Sequence, residues 1–222
     1  GLASGARMGV MVMSEDQNPW ALIVEDLSAA HRELTQAWRT VAELRRATGL
    51  AEEAVDEVAQ LAEQSRTALD RFTGQVLAVT AAAEVDTLRQ RSARGLSLAE
   101  EARDRFRAAG WCVESAREGL DQLAGQDLSE TRRLDATSFR LRVEAVSQLV
   151  ALAAPMVDRA RSHLSQATVA AAKLTRAADE AFPGTSGPAV EAGARPLANS
   201  VIRADQSVAD LDAVAFRATR GL

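Results

Sequence analysis

His31 and His163 are the residues of this chain best suited to bind a metal or to titrate near neutral pH. Both fall within apolar stripes of helical spacing, on different helices. Antiparallel packing would let them meet as a buried metal-binding or pH-sensitive layer. Neither has a glutamate or a second histidine three residues away, the arrangement that metal sites in helical bundles use. The plainer expectation is a pair of boundary histidines, each satisfied by a carbonyl, water or nearby acid. His31 and His163 stay as weak metal candidates, and no cofactor is expected.

The nucleophiles are less suggestive. Cys112 is the single cysteine, so it cannot close an internal disulfide, and no basic neighbour in sequence acidifies it. Ser65, Thr137 and Ser138 lie at or near apolar stripes without a patterned base, where helical hydroxyls usually bond back to a carbonyl. The Pro-Gly-Thr-Ser-Gly run ending at Gly187 is glycine-rich like a phosphate loop. It lacks the terminal Gly-Lys-Ser/Thr, and no strand precedes it. An enzyme is therefore not expected. Trp111 stands out differently, because it lies opposite its helix's apolar stripe. Either another helix of the chain covers it, or Trp111 with Cys112 beside it marks a partner surface.

The elements that would carry these residues are helices throughout. Asn18 is a favoured N-cap with Pro19 at the first helical position. From there Ile23, Leu27, Ala30, Leu34, Ala37, Val41 and Leu44 alternate steps of four and three up to Gly49, a conventional helix stop. A second stripe runs Ala51, Val55, Val58, Ala62, Ser65, Leu69, Phe72, Val76, Val79 and Ala83. Its register passes through Gly74, so one continuous helix is expected there, closed at Arg94-Gly95.

Ser97 and Glu100 form a capping box for a third helix, striped from Ala99 to Leu123 and ended by Gly125. Asp127 and Glu130 offer a cap for a fourth, from Ser129 to Ala181, roughly 80 Å if straight. Its row Leu134, Ser138, Leu141, Ala145, Leu149, Leu152, Met156, Ala160 and His163 is nearer an eleven-residue repeat. A second row, Phe139, Val143, Val146, Val150, Val157 and Leu164, implies neighbours on more than one side. Pro155 should kink this helix. Residues 183–196 read as a Pro/Gly linker, and a last helix carries Leu197, Val201, Ala204, Val208, Leu211 and Ala215 on one face.

Composition agrees. Of 222 residues, 47% are hydrophobic but only 4% aromatic, with no tyrosine, which favours helix over sheet. Net charge is −5 with signs interspersed, giving little support to nucleic-acid binding. Arginine nearly excludes lysine (Lys173 alone), a mark of GC-rich coding that suggests a bacterial source. No run of 18 apolar residues exists, so no membrane span is expected. The apolar patch Met8–Met13 is too short for a signal core, so cytoplasm is the expected location, with translation starting at Met13.

The reading is thus an all-α, elongated antiparallel bundle of about five long helices with coiled-coil-like seams. Residues 1–17 form a flexible lead, 18–182 the bundle, 183–196 a linker and 197–222 a docked helix. Its expected function is non-enzymatic: a scaffold or adaptor acting through helix faces, with an unidentified protein partner or a second copy. The alternative is a ligand- or metal-binding bundle using the two histidines near the Pro155 kink.

Overall fold

The computed structural model describes residues 18–180 and 187–221, and within them the chain is an all-α bundle of four long helices. Expectations placed on residues 1–17 and 181–186, including most of the Pro-Gly-Thr-Ser-Gly run, lie outside that range. Helix α1 is Pro19–Thr67, α2 is Arg71–Ala124, α3 is Glu130–Glu180 and α4 is Gly187–Gly221. Each packs on the next and α4 returns to α1, while the diagonal pairs barely touch. This is the cyclic order of an up-down-up-down bundle.

Local chemistry sets the ends. The Asn18 side chain accepts the Trp20 N–H at 3.1 Å, with Pro19 following. Ala68 is extended, and Asp70 caps α2 by accepting the N–H groups of Phe72 at 3.3 Å and Thr73 at 2.9 Å. These bonds hold the Asp70 carboxyl below its ordinary value. Gly125 caps the other end of α2. Ser129, rather than Asp127, caps α3: its hydroxyl accepts the Arg132 N–H at 3.3 Å, while Asp127 pairs with Arg133 at 3.7 Å.

Three expected boundaries move, for one reason. In α1 the buried positions Ala37, Val41, Leu44, Thr48, Ala51, Val55 and Val58 keep the 4-3 alternation straight past Gly49. In α2 the buried row is Ala81, Val85, Leu88, Ser92, Gly95, Ala99 and Ala102, again unbroken, so neither Gly95 nor the Ser97–Glu100 box marks a helix end. Small or polar residues occupy the seam at these points and disguise its continuity. Gly95 packs closely there: a Cβ would come within 3.2 Å of Leu164 Cδ2 on α3.

The reverse holds a few residues before Gly74, which is itself helical: the expected continuous helix is two. The chain turns at residues 68–70, and Val76, Val79 and Ala83 point outward while α2 buries a different row. The matching register across that turn is a coincidence of spacing. Further on, residues 187–196 belong to α4, Pro196 included, instead of a linker.

Helix α3 passes through Pro155 without interruption. Its inward row is Val143, Val146, Val150, Ala153, Val157, Ala160, Leu164, Ala167, Ala171 and Leu174, a heptad series and not an eleven-residue one. The eleven-residue impression came from joining outward residues near its start to inward ones near its end.

Because α4 is shorter, the bundle is not uniform along its length. Leu197 and Val201 pack with Ala51–Ala62 and Leu174, and Leu211 with Leu34, Phe106 and Leu149. A third row on α1, Thr40, Ala47, Ala54 and Leu61, joins the core over the stretch that α4 reaches. Past it, the cluster of Ile23, Ala30, Val113, Leu120 and Val143 draws on α1, α2 and α3 among the described residues. Trp20 finishes that end, 6.2 Å from the Phe139 ring with the Arg132 guanidinium 4.9 Å from its centroid.

Candidate interaction surface

The bundle keeps the two histidines apart. His31 is exposed on α1, between Ala30 and Leu34, whose clusters reach Val143 and Leu149 of α3. His163 is half-buried on α3 between Ala160 and Leu164, which pack with Leu44. Some thirteen residues of α1 separate those levels, roughly 20 Å along the axis. No group of three His, Cys, Asp or Glu side chains able to hold a metal occurs among the described residues.

Trp111 is 72% exposed, so none of the described residues covers it. It stands on the outer face of α2 among Asp104, Arg107, Glu114 and Glu118, all charged. Cys112 turns the other way and packs against the three-helix core. Burial, with Asp26 and Glu33 adding to it, pushes its thiol up, the opposite of what a nucleophilic cysteine needs. Ser65 donates to the Gly74 carbonyl at 2.9 Å and Thr137 to the Arg133 carbonyl at 2.9 Å, while Ser138 is exposed.

Polar groups enter the core mainly where α1 meets α4. The buried Thr48 Oγ lies 3.0 Å from both Asp205 Oδ1 and the Arg45 carbonyl oxygen, and Arg45 pairs with Asp212. Glu52 sits within hydrogen-bond reach of Asp205, with Asp56 nearby. Burial first, and then these acids, raise its pKa. On α2 the fully buried Ser92 hydroxyl has no hydrogen-bond partner among the described residues. This layer ties α4 to α1.

The feature without an internal purpose is the back of α3. Thr131, Leu134, Ser138, Leu141, Ala145, Gln148, Leu152 and Pro155 are all exposed and keep strict 3-4 spacing. They lie opposite the inward row, and none is charged. Leu134, Leu141 and Leu152 are 67%, 68% and 56% exposed. The flanking acid Glu144 is already bound to Arg117 of α2 at 3.1 Å, and Asp121 of α2 holds Arg140 at 3.0 Å. A second seam therefore faces outward, clear of charge, for about 36 Å.

The sequence shows two apolar rows on this helix, a pattern that implies neighbours on more than one side, and the outward row takes in Leu134, Ser138, Leu141, Ala145 and Leu152 of the first. In the fold the inward row serves α2 and α4 together, which leaves the outward one without a partner among the described residues. The missing signal was angular: the two rows are half a turn apart, too far for one pair of neighbours to cover. A smaller apolar patch, Leu69, Phe72, Val76 and Val79, is exposed at the α1–α2 turn.

No protein-family model, no curated protein and no solved structure matches this chain. No helix among the described residues is long and apolar enough to cross a membrane.

Proposed function

We propose that this chain is a non-enzymatic interaction module whose working surface is the outward seam of α3. One observation carries the reading: eight consecutive heptad positions, exposed and uncharged, on a helix already satisfied on its other side. Surface helices of stable bundles carry charge on the face away from the core, and an apolar strip there costs solubility unless a partner covers it. Heptad spacing also states the partner's shape, because knobs at these intervals fit holes on another helix. A cytoplasmic location belongs to the same proposal, supported by the interspersed charge and the single cysteine.

The ligand-binding alternative required the two histidines together near Pro155, and nothing in the geometry favours it. The test of the interaction reading is the triple substitution Leu134→Glu, Leu141→Glu and Leu152→Glu. These side chains touch no core, so helicity and melting should stay close to wild type. Affinity capture from native extract, compared by quantitative mass spectrometry, should lose whatever the wild-type chain enriches. Identical captured sets from both chains would refute the assignment of this surface.

A further inference from the structure

The seam is also complementary to itself, and from this we infer that its partner is a second copy of the chain. The two α3 helices would pair antiparallel about a two-fold axis at Val143; the inference rests on the seam being an interaction surface. Reading outward from Val143, the three inner pairs of seam positions at equal distance match in kind: Leu141 with Ala145, Ser138 with Gln148, and Leu134 with Leu152, with Thr131 facing Pro155 at the ends. In an antiparallel pair these become the facing layers between copies. A large side chain meets a small one, a hydroxyl meets an amide that can bond to it, and leucine meets leucine. Each layer occurs twice, as an isologous interface requires.

Neighbouring registers lose this match. Sliding by one heptad in one direction sets Leu134 against Arg159, a charged position just past the seam. Sliding the other way carries Leu152 level with Asp127, before α3 begins. Facing polar residues specify register for the same reason that a single polar residue does in a coiled-coil seam. Charge chooses the direction. A parallel in-register pair would bring Glu130 of one helix beside Asp135 of the other across the seam. The antiparallel pair places Glu144 opposite Thr137 and Arg142 opposite Leu149, with no like charges together.

Area sets the strength. A strip about 36 Å long and about 10 Å wide gives a footprint of roughly 360 Å² per copy. Two copies together reach roughly 700 Å², below the ~1,200 Å² where stable complexes begin. The dimer is therefore reversible, visible at tens to hundreds of micromolar and not at nanomolar concentration.

Sedimentation velocity on the purified chain over about 1 µM to 1 mM should show a monomer–dimer shift, absent in Leu141→Glu/Leu152→Glu at unchanged helicity. Orientation is read by oxidative crosslinking, with Cys112→Ser in every chain. Mixed Ser138→Cys and Gln148→Cys chains should crosslink to each other, and Ser138→Cys alone should not. Crosslinking of Ser138→Cys alone would establish a parallel pair and overturn the register. A wild-type chain that stays monomeric throughout, or a Leu→Glu variant that still dimerises, would overturn self-pairing. Loss of captured partners in the triple variant would then still support the interaction surface by itself.

Discussion

At the residue scale, the side chains with recognisable chemistry stand apart: His31 and His163 lie at different levels of the bundle, and Cys112 packs toward its core. Glu52 is the informative one, because its carboxyl loses water and faces Asp205 across the α1–α4 contact. Its folded pKa lies above the ordinary value of 4.5, so the folded chain holds this proton more tightly than the unfolded one. The stability from this site is complete below that ordinary value and is lost as pH rises through the raised one. Glu52→Gln should therefore melt higher than wild type at pH 7, with the gap closing as pH falls toward 4. Melting curves across that range check it, and a difference independent of pH would assign the effect to packing instead. The histidines were legible as polar intruders in apolar stripes. Their separation was not, because stripes give the face of a helix but not its level in the bundle.

At the element scale, glycines were the chief source of error. Gly49 and Gly95 have the form of helix stops, yet both lie inside helices, held there by the apolar rows on either side. Roughly 1 kcal/mol of lost helix propensity at one glycine is small beside the burial of a seam. Gly49 offers a direct check, since an added Cβ would meet nothing within 4 Å. Gly49→Ala should stabilise by about 1 kcal/mol, raising Tm by about 2–4 °C for a chain of this size. Were Gly49 a helix terminus, the same change would destabilise. Caps divide the same way: Asn18 and Pro19 act as their types suggest and α2 ends at Gly125, while the Ser97–Glu100 box lies inside α2 and Ser129 takes the place of Asp127.

At the scale of the whole molecule, the core among the described residues draws on four helices in the middle and on three toward the α2–α3 turn. Among the described residues, those around Ile23–Ala30 and Val113–Val143 have fewer helices packed on them than those around Leu44–Val58. Native-state hydrogen exchange should show this end opening at lower free energy than the middle; uniform protection along α1 would contradict it. Dimerisation through α3 spans Thr131–Pro155 and so shields part of this weaker end, making its protection rise with protein concentration.

What the sequence by itself determined is the class and the period. Alanine- and leucine-rich heptads with so few aromatics have a helical bundle as their outlet, and the stripe of α4 from Leu197 to Leu211 is buried as spaced. Tertiary structure alone decided which of two candidate rows on a helix faces in, where two in-phase stripes belong to different helices, and what is left outside. Periodicity is a local property of one helix. Burial depends on how many neighbours the chain can bring to it, and on α3 the described residues cover one row.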